Sequence, residues 1–287
     1  MTKEEIMHEW KNKALIMCDV DNCVINGEGN IANETKEVLQ ALINVKGHAF
    51  YFGMMSHRPV MQVADIYKMI EIRPSSYLIG NRGAEVYSFS SDQFMINQNI
   101  GALSAKRIYE ELLRIAKHNP KLSFHVTYDG VWNYLYNIPK EEWDRYNIGG
   151  NLVLHDTFEA VCVIGFDVSH LGANYKEFEE FAHSINDAQV IADGHNITII
   201  NKDVNLVKSF EYIMKRLQVA NNHVAVISKT VEDKQLFEIP GVYGITSNDA
   251  VDELKKVAKV VLDVPEKDFI AEAIKHIKEY LKTVEIK

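Results

Sequence analysis

Short apolar runs alternate with amphipathic segments along the first hundred residues. The apolar runs are typical of buried strands, and the segments between them carry apolar residues at helical spacing. The predicted strands are 14–18, 48–54 and 76–79, and the predicted helices are 34–45 and 59–70. The same alternation returns near the C-terminus, with helices at 205–217, 250–258 and 267–282 and strands at 223–228, 242–246 and 260–263. Strands that alternate with helices predict a doubly wound, parallel α/β sheet with right-handed crossovers.

The middle of the chain has a different pattern. Helices precede strand pairs there, which is typical of an α+β layer rather than a parallel sheet. The predicted helices are 104–118, 140–146 and 175–185, and the predicted strands are 122–127, 130–137, 160–167, 188–192 and 196–200. We therefore expect a core domain built from residues 1–100 and 202–287, with an inserted α+β domain at 101–201.

Polar side chains stand where the predicted core strands end. Asp19 and Asp21 follow the first strand directly, and Ser56 follows the second. Open parallel sheets bind their ligands at this edge. Because a buried carboxylate without a partner is costly, the two aspartates require cations, either from the chain or as a bound metal.

Composition narrows the range of functions. The chain has 31 Lys+Arg against 40 Asp+Glu, and a net charge of −9 argues against a nucleic-acid partner. Its three cysteines lack paired spacing, which argues against a disulfide framework or a zinc site. We find neither a signal-peptide pattern nor an apolar run long enough for a bilayer, so we expect a cytoplasmic protein with no membrane contact.

The order of these pieces resembles a known family. Asp19-x-Asp21, Ser56, a lysine near 208 and the acid pair Glu232-Asp233 surround an inserted α+β unit. This arrangement is similar to the haloacid dehalogenase superfamily of phosphotransferases, in its Cof-type branch with a type IIB cap, and the resemblance covers nearly the whole chain. It implies a haloacid dehalogenase-like core with a cap domain at 101–201.

The resemblance also implies roles for these residues. Asp19 would be the nucleophile that forms an aspartyl-phosphate, and Asp21 the general acid and base. Ser56 would bind a phosphoryl oxygen. Lys208, with Lys202 as the runner-up, would screen the nucleophile from the phosphate. The family's Mg²⁺ would be held by Asp19, Asp21 and Asp233.

The fourth motif departs from the family pattern. Where the family has Gly-Asp-x-x-Asn-Asp, this chain has Ser-Lys-Thr-Val-Glu-Asp at 228–233, so that Lys229 replaces a Mg²⁺ ligand. Three outcomes stay open: Glu232 or Asp233 replaces the lost ligand, Lys229 acts as a fixed charge in place of the metal, or the site binds without catalysis. A register shift that leaves Lys229 in solvent is a further alternative.

The function expected from the resemblance is a phosphatase that acts on a small phosphorylated metabolite, such as a sugar phosphate, as a monomer or homodimer. The alternative is a catalytically impaired relative that binds a phosphorylated ligand or partner. A glycosyltransferase, in which Asp-x-Asp holds Mn²⁺, is disfavoured because the motif ends the first strand.

For Arg82 a solvated loop position is favoured over substrate contact. Four side chains of the cap are candidates to face the substrate: His125, Tyr128, Trp132 and Tyr134. For Trp132 and Tyr134, the core of the cap is the preferred location.

Overall fold

The computed structural model describes residues 13–26, 29–43, 49–72, 77–139, 157–167, 169, 171, 174–193 and 195–285. Its strands in chain order are β1 Lys13–Asp19, β2 Ala49–Met55, β3 Tyr77–Gly80, β4 Glu85–Ser88, β5 Gln93–Asn97, β6 Phe124–Tyr128, β7 Val131–Tyr136, β8 Val161–Asp167, β9 Ala188–Asp193, β10 Asn196–Asn201, β11 Val224–Ile227, β12 Tyr243–Ser247 and β13 Val260–Leu262. The helices are α1 Asn33–Ile43, α2 Val60–Met69, α3 Ala102–Ala116, α4 Tyr175–His183, α5 Leu206–Leu217, α6 Lys234–Phe237, α7 Asp252–Lys255 and α8 Phe269–Glu285. The helix predicted at 140–146 lies outside the described residues.

Eight strands form the first sheet, in the order β13-β12-β11-β1-β2-β3-β4-β5. The pairings from β13 to β3 are parallel, and β4 and β5 add an antiparallel edge. The central strand β1 is buried on both faces: Ile16 and Cys18 pack into one core layer, while Leu15 and Met17 pack into the other. Helices α1, α2 and α8 contribute to the first layer and α5, α6 and α7 to the second. The predicted doubly wound α/β fold is confirmed.

Five antiparallel strands form the second sheet, in the order β7-β6-β8-β10-β9. Helices α3 and α4 pack on one face, where Tyr134 contacts Tyr109 and Phe124. Tyr134 therefore belongs to the cap core, whereas the side chain of Trp132 lies outside the described part of the structure. His125 is half-buried opposite Gly165 of β8, and a Cβ atom at Gly165 would lie 2.3 Å from the imidazole Cε1.

Hydrogen bonds join the two sheets at their junction and at the tip of the β6–β7 hairpin. At the junction, Ile100 N–H donates to the carbonyl of Val161 at 2.8 Å. At the hairpin tip, Met61 N–H, in the first turn of α2, donates to the carbonyl of Gly130 at 3.2 Å. The hairpin thus lies against the helix that follows Ser56. The separate sheets support the predicted domain boundaries, which remain a prediction.

None of the helices in the described part of the chain has the length and apolar character needed to cross a membrane.

Candidate active site

The carboxyl ends of three neighbouring parallel strands bring the predicted acids together. Asp19 ends β1 and is buried, and Asp233 follows β11 and is buried as well. After Asp19 the chain turns sharply, because the N–H groups of Val24 and Ile25 both donate to the carbonyl of Val20 at 3.0 Å. This turn places Asp21 beside Ser56, whose hydroxyl donates to Asp21 Oδ2 at 3.0 Å.

Asp21 is held by an arginine that the sequence did not single out. Arg58 Nε and Nη2 lie 3.0 Å and 2.8 Å from Asp21 Oδ1, and Nε also lies 3.2 Å from Oδ2. A guanidinium that makes several hydrogen bonds to one carboxylate fixes its orientation more strictly than a single contact does. Asp21 is therefore held in a defined orientation in the crevice.

Two serines at strand ends hold the two sides of the site in the same way. The hydroxyl of Ser56 accepts the N–H of Arg58 at 3.0 Å and donates to Asp21. The hydroxyl of Ser228 accepts the N–H of Thr230 at 2.9 Å and donates to Asp233 Oδ2 at 2.7 Å. Each hydroxyl thus fixes a loop and a carboxylate together. A role for Ser56 in binding phosphate remains a prediction, since its proton is directed to Asp21 in this arrangement.

Asp19 and Asp233 are carboxylates in an environment that disfavours their charges. Burial raises the pKa of Asp19 well above its usual value, and the nearby Asp233 raises it further. Burial also raises the pKa of Asp233 to about 7, although the Ser228 hydrogen bond opposes the shift. Thr230, a second residue that the sequence did not single out, donates its hydroxyl to Asp19 Oδ2 at 2.7 Å. A cation placed nearby would favour the ionised form of Asp19.

The ammonium of Lys229 forms an ion pair with Asp249. Its ammonium lies 3.1 Å from Asp249 Oδ2 and 4.8 Å from the centre of the Phe269 ring, and its side chain is only 9% exposed. The solvent-exposed alternative for Lys229 is therefore wrong. The next residue, Thr230, is the one that reaches Asp19. The geometry thus favours Asp233 over Lys229 as the group that acts with Asp19.

The lysines predicted for the third motif are both solvent-exposed. Lys208 lies in the first turn of α5, where its backbone N–H donates to the N-cap side chain of Asn205 at 3.0 Å. Within the described residues, no ion pair joins Lys208 or Lys202 to Asp19 or Asp233. Their predicted role remains a prediction.

Arg82 is not the solvated loop residue that we expected. Its side chain is 11% exposed, and Nη1 lies 3.8 Å from Glu232 Oε1. Its positive charge opposes the upward shift in the pKa of Asp233. Glu232 is thus directed towards Arg82, which leaves Asp233 as the fourth-motif carboxylate beside Asp19.

A divalent cation has two buried carboxylates available here. Asp19 and Asp233 are close enough for one charge to raise the pKa of the other, and hard cations such as Mg²⁺ prefer oxygen ligands of this kind. Among the described residues, no group of three or more histidine, cysteine or acidic side chains has a metal-binding arrangement. A Mg²⁺ ion fits the pair Asp19 and Asp233 if water completes its coordination.

Comparison with known proteins gives the family. The model of the haloacid dehalogenase-like hydrolase family matches residues 16–274, and the chain belongs to this family. The predictions of the family and of an enzyme of the hydrolase class are confirmed.

Individual relatives are distant but cover nearly the whole chain. A Mycoplasma pneumoniae protein that carries a provisional phosphatase name is 22% identical over 281 residues, which cover 90% of this chain and 93% of the relative. A haloacid dehalogenase-like hydrolase from Bacteroides thetaiotaomicron superposes with a TM-score of 0.74 at 18% identity, covering 92% of this chain and 99% of the other. A structure described as a subclass IIB sugar phosphatase gives a TM-score of 0.67 at 14% identity, with coverages of 92% and 99%. These structures share the fold of this chain.

Proposed function

We propose that this chain is a phosphatase that hydrolyses a small phosphate monoester through an aspartyl-phosphate on Asp19. The observation that carries the proposal is that Asp19 lies close to Asp21, which Arg58 and Ser56 hold in a fixed orientation at the same crevice. The phosphatase names among its relatives support the reaction class. The likeness to a sugar phosphatase favours a sugar phosphate as substrate.

In the proposed reaction, Asp19 is the nucleophile and Asp21 is the general acid and base. Thr230 binds Oδ2 of Asp19, which leaves Oδ1 to attack phosphorus while the bond to the leaving oxygen breaks. Asp21, protonated when the substrate binds, gives its proton to that oxygen and becomes the carboxylate that Arg58 and Ser56 hold. In the second half, Asp21 takes a proton from water, the water oxygen attacks phosphorus, and the bond to Asp19 breaks to release inorganic phosphate. Asp19 and Asp21 return to their starting states.

Mg²⁺, when bound, would be held by Asp19 and Asp233 and would supply the positive charge that keeps Asp19 ionised beside a phosphate. The chain's own contribution is to hold those carboxylates: Ser228 fixes Asp233, and Thr230 fixes Asp19.

The first test is the loss of the nucleophile. We expect Asp19→Asn to lower the rate of phosphate release from a panel of phosphomonoesters by more than about a thousandfold, because the amide cannot form the covalent intermediate. Asp65→Asn is the matched control, since Asp65 is paired with Lys68 on the surface of α2. Wild-type protein that binds the esters but releases no phosphate would replace this proposal with the binding-only alternative.

The second test restores the missing fourth-motif acid. We expect Lys229→Asp to tighten Mg²⁺ binding by about tenfold or more, as measured by calorimetry, because an ammonium is replaced by a carboxylate ligand. The fold should tolerate the change, since the partner Asp249 is largely exposed and can be solvated alone. Asp249→Asn is the control and should leave Mg²⁺ affinity nearly unchanged. A Mg²⁺-independent wild-type rate that Lys229→Asp abolishes would show instead that Lys229 replaces the metal.

A further inference from the structure

Arg82 lies in a tight turn at the end of β3. Hydrogen bonds to the second-motif loop and to α5 hold this turn in place. Asn81, Arg82 and Gly83 all have positive φ angles, of 46°, 58° and 99°. Left-handed backbone at a residue other than glycine is costly and persists only where the surroundings impose it. The N–H of Asn81 donates to the carbonyl of Arg58 at 2.8 Å, and Ser209 of α5 donates its hydroxyl to the carbonyl of Gly83 at 2.7 Å. The turn is therefore fixed to the second-motif loop and to α5 together.

The side chain of Arg82 spans the crevice. Strands β3 and β11 are separated in the sheet by β2 and β1, yet Arg82 of the β3 turn pairs with Glu232 of the loop after β11. The ion pair therefore crosses the sheet edge at which β1 and β2 end in Asp19 and Ser56. Within the part of the chain that the structure describes, the guanidinium of Arg82 lies beside the fourth-motif carboxylates Glu232 and Asp233, and its side chain is only 11% exposed.

The start of α5 explains why a lysine of this helix does not lie beside the fourth-motif carboxylates. The first residue of α5 is Leu206, which is buried, and its Cα atom would lie 2.8 Å from a Cβ atom built on Gly83. An apolar side chain thus packs where α5 meets the Arg82 turn. The lysine that follows most closely in the sequence, Lys208, comes two residues later and is exposed to solvent.

We propose that Arg82, rather than Lys208, is the cation that screens Asp19 and binds a phosphoryl oxygen of the substrate. This inference rests on the proposed phosphatase function. A guanidinium suits the role because its forked donors can bind a phosphate and a carboxylate at the same time, whereas an ammonium acts as a point charge.

Binding of inorganic phosphate to the whole protein, measured by calorimetry, separates the two candidates. We expect Arg82→Gln to raise the dissociation constant for phosphate by about tenfold or more, since a charge-assisted contact is lost. Lys208→Gln should change it by less than about twofold, because a solvent-exposed charge is well screened. An Arg82→Gln value within twofold of wild type, or a tenfold loss in Lys208→Gln, overturns the proposal.

Two further variants separate phosphate binding from a structural role. Glu232→Gln removes the charged partner of Arg82 and should leave the affinity for phosphate unchanged or make it tighter. If the ion pair has only a structural role, Glu232→Gln and Arg82→Gln should lose phosphate affinity to the same extent. In Arg82→Ala, added guanidinium ion should restore part of the lost rate, and no rescue counts against the proposal. If Arg82→Gln does not fold, Arg82→Lys takes its place: it should weaken phosphate binding by about threefold, because the fork is lost and the charge kept. Wild-type affinity in Arg82→Lys would then overturn the proposal.

The outcomes also distinguish this inference from the function on which it rests. If the wild-type protein hydrolyses phosphomonoesters but Arg82→Gln binds phosphate normally, the inference fails and the phosphatase stands. If the wild-type protein neither binds phosphate nor releases it from esters, both fail.

Discussion

Replacing Arg58 by methionine should lower kcat by about a hundredfold while the protein remains folded. The arginine makes three short contacts to Asp21, the proposed general acid, and general acid–base catalysis is typically worth about 10² to 10⁴ in rate. Its side chain is 34% exposed, so the ion pair itself contributes at most about 1 kcal/mol to stability. Without it, Asp21 keeps its carboxylate but loses its fixed direction. Steady-state kinetics, together with a thermal melt, check both parts.

The leaving group shows whether Arg58 acts through Asp21. A nitrophenolate leaves without a proton, whereas a sugar alkoxide needs one, so the loss in Arg58→Met should be much larger for a sugar phosphate than for p-nitrophenyl phosphate. Arg58→Lys should recover only part of the rate, because the bidentate geometry is lost. Arg114→Met is a matched control, since Arg114 pairs with Glu111 and Glu177 on the cap surface. Equal losses for both substrates would assign Arg58 to phosphate binding instead.

The order of the elements was predictable because the hydrophobic pattern has few interpretations. The run at 14–18 is too short and too apolar for a surface helix, and it became the central strand Lys13–Asp19. The switch to helix-plus-hairpin units after residue 101 likewise predicted the second sheet. Helix ends were less accurate: the predicted helix at 250–258 is only Asp252–Lys255, because the apolar spacing there continues into a loop that the pattern does not distinguish.

For the candidate site, the sequence predicted only which residues lie at the ends of neighbouring strands. Asp19, Asp21 and Ser56 meet because parallel neighbouring strands end at one edge. The direction of a side chain beyond the strand end depends on turn geometry, which carries no periodic signal. Lys229 and Thr230 are adjacent in sequence, yet one binds Asp249 and the other Asp19.

Arg82 was misjudged for a related reason. Most arginines in loops are solvated, and its burial comes from a left-handed turn packed on α5, a contact that joins residues far apart in sequence. Arg58 was overlooked although it follows Ser56 by two residues. Its place in the loop that directly follows the strand-end Ser56 was the signal available in the sequence.

Acidification should weaken the cap through His125. Burial lowers the pKa of this imidazole from 6.5 to about 3. The unfolded chain therefore binds a proton more readily than the folded one, so the stability that neutral His125 permits is complete above pH 6.5 and falls as the pH drops towards 3. A shift of that size corresponds to about 5 kcal/mol at pH 3, and we expect about 2 kcal/mol by pH 4 because the side chain keeps part of its exposure.

The comparison of wild type with His125→Gln isolates this effect from the other titrating groups. Glutamine has no proton to gain in this range, so urea midpoints of the two proteins should converge or cross between pH 7 and pH 4, with the wild type losing more. The variant will be less stable at neutral pH, since the ring packs over Gly165 and fills space that a Cβ atom at that position would occupy. Parallel midpoints across the whole range would mean that the imidazole is solvated well enough to be protonated in the folded cap. The only role of Gly165 towards His125 would then be to leave space for the imidazole ring.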